Sequence, residues 1–418
     1  MLDRTLAPEL QEIDKITMLP PAKLDMAGKA TCYWLKSLDA PAFKFDFIFN
    51  AGSIESKKII GKLTGDLLFS GTKNHTSDAI NEAIDQLGGF LNVEVTAEDA
   101  KVSVFGLTEN FERLMAIVID AIEHATFPDR EVAQMIRSKR QGFNIAQEKV
   151  SARARRLFLK EVFQGTPHAE QTELKDFDEV SAEDLRTFHK NYYRAGLTKV
   201  SLIGNLPEAL VMDVLDRVGH WCIEDLSRTP HTFKHEGIRK HEEKDGAVQT
   251  AIRVGRILFN RTHEDYKSFM VLNTILGGYF GSRLMTSIRE EKGYTYGIGS
   301  GVAQSLDAGY FFISTEVGKD VATDALEAIK EEIEKLQTEL VSDEELNLVR
   351  SYSIGQLLKG SDGPFSMMDR FMNLERYGLD LSYYDEVLRT IKSVDAETIK
   401  TLAKKYLNWK DFVVVTAG

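Results

Sequence analysis

Hydrophobic and polar positions alternate strictly at residues 43–49, where Phe43, Phe45, Phe47 and Phe49 are separated by Lys44, Asp46 and Ile48. A period of two predicts a strand with one apolar face. The mostly apolar residues 59–69 read as a helix, and residues 77–87 as a second one ended by Gly88-Gly89. Ser77 opens that second helix without a capping-box acid three residues on. Residues 91–95 and 102–105 are strands joined by a polar turn. A long amphipathic helix follows, because Phe111, Leu114, Met115, Val118, Ile119 and Ile122 recur on one face of a 3.6-residue period.

The pattern then repeats. Val180-Ser181-Ala182-Glu183-Asp184-Leu185 reads like Val394-Asp395-Ala396-Glu397-Thr398-Ile399, and Tyr192, Val200 and Gly204 match Tyr406, Val414 and Gly418. The offset is 214 positions throughout. A constant offset over such a stretch marks a duplicated unit of about 200 residues rather than a short solenoid repeat. In the second unit Tyr310-Phe311-Phe312-Ile313 is a strand, and Val321, Ala325, Ala328, Ile329 and Leu336 line the helix after it. Each unit ends on a β-branched strand, at residues 199–203 and 412–416. Hairpin strands followed by helices predict an α+β fold, with helices on one face of a mostly antiparallel sheet. The polar stretch 220–246 between the units, with His231, His235, His241, Glu242, Glu243 and Lys244, reads as an exposed linker.

Composition then restricts the function. The chain has 418 residues, 43% of them hydrophobic and 28% charged, which excludes disorder. At ~100–200 residues per domain this length allows two to four domains, and the repeat selects two. Acidic residues outnumber basic ones 64 to 52, for a net charge of -12, so the mean field repels phosphate and nucleic acid is not an expected partner. Cys32 and Cys222 are too few for a disulfide framework and read as small buried hydrophobes in a reducing compartment. No apolar run reaches the ~18–20 residues of a membrane span, and the first residues lack a signal-like apolar core. The expected setting is cytoplasmic, or periplasmic if a leader has been removed.

The segment Ala51-Gly52-Ser53, then Gly61, then Leu67-Leu68-Phe69-Ser70-Gly71-Thr72, resembles the signature of the insulinase/pitrilysin-like (inverzincin) metallopeptidases. That family includes mitochondrial processing peptidases and bacterial two-subunit zinc peptidases. Asn273-Thr274-Ile275-Leu276-Gly277-Gly278, Ser282-Arg283-Leu284 and the run from Ile288 through Arg289-Glu290-Glu291-Lys292-Gly293-Tyr294-Thr295 to Tyr296 resemble its second block. Phe188-His189-Lys190-Asn191-Tyr192-Tyr193 and the duplication fit as well. The resemblance reaches from about residue 20 to the end. It implies two homologous α/β sandwich (roll) domains arranged as a clam. Residues 1–218 would be the N-terminal domain, 219–246 the linker and 247–418 the C-terminal domain.

The sequence departs from the family where zinc is held. Ungapped alignment on Leu67-Leu68-Phe69 puts the His-x-x-Glu-His positions on Lys62-Leu63-Thr64-Gly65-Asp66. In the motif, two histidines four residues apart share a helix face and hold Zn²⁺, and the glutamate takes a proton from the bound water. Lys62 is a cation, Gly65 has no side chain, and Asp66 alone does not make a metal site. A third ligand, a glutamate further along, is also missing: residues 133–145 contain no acid, and Glu131 and Glu148 flank them off register. No metal or cofactor is therefore expected on this chain.

Arg289 and Tyr296 remain, seven positions apart. In the bacterial heterodimers of the family, a zinc-lacking subunit supplies such a pair to a zinc-bearing partner. An arginine and a phenol aimed at a developing oxyanion can lower the barrier by roughly 3–4 kcal/mol per donor. The resemblance thus implies the non-catalytic subunit of a heterodimeric zinc peptidase, inactive alone. Its partner would be a zinc-bearing homologous subunit and its substrates unfolded peptides. The net charge of -12 would suit basic or amphipathic peptides. The alternative is a non-enzymatic homodimer of the same fold that binds peptides or scaffolds a complex.

Plainer readings stand beside these. Arg289 can be a helix-end arginine on a surface acid, and Tyr296 a tyrosine packed in a sheet. Lys62 and Asp66, at i and i+4, read as a solvated ion pair worth ~0.3–0.5 kcal/mol, with a residual substrate contact as the rival. His231, His235 and His241 read as a solvated stretch rather than a metal site, and His75 as a loop residue. Residues 360–364 read as a turn before a helix or a mobile loop at a chamber.

Overall fold

The computed structural model describes residues 12–28, 30–36, 40–222, 230–233 and 237–418. The first unit runs β1 (Ala22–Asp25), β2 (Thr31–Leu35), β3 (Ala42–Phe49), α1 (Lys58–Asp66), α2 (Ser77–Gln86), β4 (Phe90–Val95) and β5 (Ala100–Leu107). It continues α3 (Phe111–His124), α4 (Asp129–Gln147), α5 (Val150–Val162), α6 (Asp176–Glu179), α7 (Ala182–Phe188), β6 (Leu197–Ile203) and α8 (Glu208–Val218). The second unit runs β7 (Ile238–Glu242), β8 (Gln249–Leu258), α9 (Tyr266–Asn273), β9 (Ile298–Gln304) and β10 (Gly309–Gly318). Then come α10 (Ala322–Thr338), α11 (Asp343–Lys359), α12 (Gly363–Glu375), α13 (Ser382–Ser393), α14 (Ala396–Tyr406) and β11 (Val413–Ala417).

Each unit builds one sheet. The first is ordered β1-β2-β6-β3-β5-β4 and the second β7-β11-β8-β10-β9. Only β2–β6 and β7–β11 pair in parallel; the other named pairs are antiparallel. The strand alternation in β3 holds: Phe43, Phe45, Phe47 and Phe49 are all buried with α3 and α8, while Lys44 and Asp46 point to the other face. Phe43 meets Phe111 edge to face at 5.0 Å. The cap of α2 is Thr76, whose side chain accepts from the Ala79 N–H, one residue before the expected start. Cys32 and Cys222 are both free thiols.

The 214-residue offset is kept by α3 and α10, whose buried positions Phe111, Leu114 and Ile122 correspond to Ala325, Ala328 and Leu336. Before those helices it is shorter, since α1 and α9 begin 208 residues apart. The second unit has gained its extra residues in a longer β10 and an added first turn of α10.

The expected linker 219–246 is corrected at both ends. Gly219–Trp221 forms a 3-10 turn that seats Trp221 against Phe47, 5.7 Å between rings, inside the first core. Ile238–Glu242 is β7, hydrogen-bonded to β11. By its place in the sheet β7 is the counterpart of β2. It is an edge strand, and its exposed Arg239, Lys240 and His241 are the charges that protect such an edge.

The units also exchange a helix, so each sheet is covered on both faces and not on one. From the first unit, α5 crosses to the second sheet, where Ala154, Phe158 and Val162 are buried against Ala251, Ile257, Val413 and Val415. Phe158 needs Gly255 beneath it: a Cβ there would lie 2.9 Å from the phenylalanine Cζ. From the second unit, α12 crosses to the first sheet and buries Met368 against Tyr33, Leu35 and Ile203. Residues 360–364 are thus the approach to this crossing helix.

Ion pairs fix both crossings. On α12, Asp369 accepts from buried Lys44 at 2.9 Å, and Arg376 reaches Glu98 at 2.6 Å. Lys44 also lies 3.2 Å from Asp46. Burial works against the lysine charge, but Asp46 and Asp369 outweigh it and hold its pKa above the usual value.

Because each sheet is completed by the other unit, Phe158→Ala should cost ~3–5 kcal/mol, the range for emptying a buried phenylalanine site. In a Trp409→Phe background, Trp34 and Trp221 report the first unit alone. Their denaturation midpoint should fall with the second unit's; a first-unit transition that ignores Phe158→Ala would show the halves to be independent.

Candidate functional site

Helix α1 buries Ile59 and Leu63 and turns Lys62 and Asp66 outward. These two do not form the expected ion pair. Asp66 is instead bonded to Lys139 of α4 at 2.7 Å. Gly65 lies on the buried side, over β4. A Cβ at Gly65 would stand 2.4 Å from Val95 Cγ2 and 3.2 Å from the Tyr193 hydroxyl. That hydroxyl is buried with no hydrogen-bond partner among the described residues, and burial raises its pKa, with the Asp66 charge adding to the effect.

Between α1, α4 and α5 lies a cavity of about 770 Å³. Six cationic side chains line it: Lys58, Lys62, Lys139, Arg155, Arg156 and Arg253. Among the described residues the single carboxylate in its wall is Asp66, already paired with Lys139. Burial pushes the Lys58 amine down to about 8, helped by Lys62 and Arg155 and opposed by Glu170. Burial and Arg155 also hold Lys62 and Arg253 below their usual values. The positive lining is opposite in sign to the net charge from which basic or amphipathic peptides were expected, and in this cavity it disfavours the basic ones.

This donor set does not fit zinc. Where two imidazoles should face the metal, α1 presents an ammonium group and a carboxylate bound to a lysine. The face of α4 turned to the cavity offers Ser138, Lys139, Gly142 and Phe143, with no acid. Glu131 stands in the first turn of α4, and Glu148 pairs with Lys244 at 2.9 Å. Neither lines the cavity. Ligands must be deprotonated and neutral or anionic to hold the ion, and here the neighbourhood is cationic.

Arg289 and Tyr296 are brought together, though not side chain to side chain. Arg289 sits on a π-helical turn, Met285–Glu291, followed by Gly293 with a left-handed φ of 65°. Its Nε donates to the Tyr296 carbonyl at 3.1 Å, and its guanidinium covers the Phe280 ring at 4.6 Å. The arginine therefore braces the loop that ends in Tyr296. That tyrosine is not in a sheet: it precedes β9 and is 97% exposed, with Phe280 65% exposed beside the arginine.

The histidines of the inter-unit stretch separate. His241 lies in β7, near Thr416 at 2.8 Å and Glu243 at 3.0 Å, and His235 is outside the described residues. His231 meets His168 and Asp307, two residues that the sequence did not single out. Their ligand atoms lie within 4.8 Å of one another, and Asp307 accepts the His231 backbone N–H at 2.9 Å. His75 is an exposed loop residue, as expected. No helix among the described residues is long and apolar enough to cross a membrane.

The fold, in a sequence without any His-x-x-Glu-His, defines the class of an insulinase-type zinc-peptidase relative. Residues 44–175 match the family model for insulinase (peptidase family M16), and residues 179–352 match that for the peptidase M16 inactive domain. The chain belongs to the insulinase (M16) family. It is 23% identical over 350 residues to the uncharacterized zinc protease YmxG of Bacillus subtilis, covering 81% of this chain and 83% of that one. It superposes on a peptidase M16 inactive domain from Pseudomonas fluorescens with a TM-score of 0.87 at 22% identity, covering 96% and 98% of the two chains. A protease from Helicobacter pylori gives 0.84 at 15% identity, covering 96% and 100%.

Because Val95 fills the space over Gly65, Gly65→Glu should destabilise by ~1–3 kcal/mol, as overpacking does. The triple change Lys62→His, Gly65→Glu, Asp66→His should show no stoichiometric zinc by elemental analysis; one bound zinc would refute the steric account.

Lys58 gives a pH signature. Its folded pKa, about 8, lies below the unfolded value, 10.5, so unfolding takes up a proton between the two. Lys58 should contribute a rise in stability with pH across that window, and Lys58→Met should lose that contribution relative to the parent, as read by urea midpoints.

Proposed function

We propose that this chain is the non-catalytic subunit of a heterodimeric zinc peptidase. The reading rests on one observation: the sequence has no His-x-x-Glu-His, and α1 carries Lys62, Gly65 and Asp66 at the positions where the resemblance would put metal ligands and base. A homologous subunit with an intact His-x-x-Glu-His would bring zinc, water and base. This chain would help enclose an unfolded peptide and offer it Arg289 and Tyr296. The braced loop suits that role. Arg289 spends Nε on the Tyr296 carbonyl, while the tyrosine ring stands in solvent where a partner-held substrate can reach it. A guanidinium and a phenol aimed at the carbonyl oxygen would stabilise its developing charge. The edge strands β4 and β9 offer unpaired backbone to an extended chain, a contact that reads no particular side chain.

The second reading is a peptide-binding or scaffold protein that acts as a homodimer without hydrolysis. The cavity beside α1 favours it, because that cavity is formed within a single chain.

Alone, the chain should bind no stoichiometric zinc and cleave no unfolded peptide; zinc-dependent cleavage by the lone chain would overturn both readings. Mixed with a zinc-motif subunit from the same source, it should form an equimolar active complex. Arg289→Ala or Tyr296→Phe should then lower turnover by roughly 10²-fold with assembly intact. A stable homodimer that ignores the zinc subunit would select the second reading.

A further inference from the structure

The cavity beside α1 has an unusual charge balance. The chain carries an excess of twelve negative charges, yet six cations and one carboxylate converge here. The carboxylate, Asp66, is taken by Lys139. Among the described residues, none of the other five cations has a carboxylate within ion-pair distance. Lys58 donates to the Glu170 backbone carbonyl at 3.2 Å, Arg156 lies over the Phe143 ring at 5.9 Å, and Arg253 over Phe312 at 5.7 Å. Like charges thus outnumber the one lining carboxylate in a partly dehydrated site, and Asp66, Glu170 and Glu316 offset them only in part. An anion that entered would relieve both their repulsion and their desolvation.

The rest of the lining says what kind of anion. Ile59, Leu63, Phe143, Leu159 and Phe177 form an apolar floor. A bare phosphate or polyphosphate gains nothing from such a floor. A peptide with alternating carboxylate and apolar side chains satisfies both surfaces at once. The volume, about 770 Å³, lies in the upper part of the ~300–1,000 Å³ range of ligand sites. The cations come from α1, α4, α5 and β8, so the site reads a spread of charge and not a single group.

We propose that the cavity between α1, α4 and α5 is a binding site for an acidic peptide segment that also carries apolar side chains. Arg155 and Lys62, both exposed at its wall, are its main charge contacts. The proposal shares with the subunit reading only the premise that the ligand is a peptide; the site belongs to the lone chain and needs no partner.

The test is a fluorescence-anisotropy titration of the full chain with a short labelled peptide of alternating glutamate and leucine. A peptide of alternating lysine and leucine and inorganic tripolyphosphate are the comparison ligands. The glutamate peptide should bind, and its affinity should fall by roughly tenfold or more as salt is raised and screening shortens. The lysine peptide should not bind. Lys62→Glu with Arg155→Glu should weaken binding at least tenfold without lowering the melting temperature, because it relieves like-charge crowding; Arg155→Lys should retain binding. At pH 8 the complex should form with net proton uptake, since an anion restores the Lys58 charge. Equal binding of the two peptides, or no effect of the double reversal, would overturn the site. Tripolyphosphate that binds as tightly as the glutamate peptide and displaces it would overturn the peptide assignment. If the glutamate peptide binds as described and no zinc subunit pairs with the chain, the subunit reading falls and this one stands; pairing without acidic-peptide binding gives the reverse.

Discussion

The crossing of α5 and α12 is the constraint on which the rest of the molecule depends. The two helices occupy matching places in the repeat, and each has a glutamate at the matching position, Glu161 and Glu375, 214 residues apart. Glu161 accepts from Lys240 of β7 at 2.6 Å, and Glu375 accepts from Tyr33 of β2 at 3.0 Å. β7 and β2 are themselves counterparts. The anchor is therefore shared as geometry, with an ammonium on β7 in one unit and, in the other, a phenol on β2 joined by the Lys199 ammonium of β6. Glu161 is buried while Lys240 is half exposed, so removing the lysine would leave a buried carboxylate without its ion pair. Neither sheet has a finished second face without the other unit's helix.

This exchange also builds the cavity. The face of α5 with Ala154, Phe158 and Val162 must lie on the second sheet, at i, i+4 and i+8. The residues between, Ser151, Arg155, Arg156 and Leu159, then turn back toward α1 and α4. Arg253 arrives on the same inner face of β8. The cation cluster is thus a consequence of where α5 is obliged to pack, and it is joined from both units.

Much of the scaffold was legible in the sequence. The Phe43–Phe49 alternation, the face of α3 and the repeat are written in periods of two and 3.6 and in an offset. The absence of any His-x-x-Glu-His is plain in the sequence, and one short alignment expects its positions at Lys62, Gly65 and Asp66. Three features were not. β7 was missed because an edge strand with a charged exterior has no apolar alternation to find. The crossing of α5 was missed because an amphipathic face announces that it is buried, not against which sheet. The cavity's charge was missed because its six cations are scattered from residue 58 to residue 253, and a sum of -12 over the chain hides a local sign reversal. Asp66 found Lys139 and not Lys62 for the same reason: tertiary neighbours outbid the i,i+4 partner.

The loss of the metal motif and the positive cavity belong to one physical change. A divalent cation is tolerated only where neutral and anionic donors surround it. Once Lys62 stands on α1 beside Lys58, with Arg155 and Lys139 facing it, an entering Zn²⁺ meets net repulsion before it meets a ligand. Gly65 removes the base and lets Val95 close over the backbone, so the old chemistry has neither its metal nor its proton acceptor. What the same walls now attract is negative charge. The excess of positive charge in this cleft is drawn from α1, α4, α5 and β8 together. Restoring the motif residues on α1 alone leaves Lys58, Lys139, Arg155, Arg156 and Arg253 in place, and the field they set still opposes a metal.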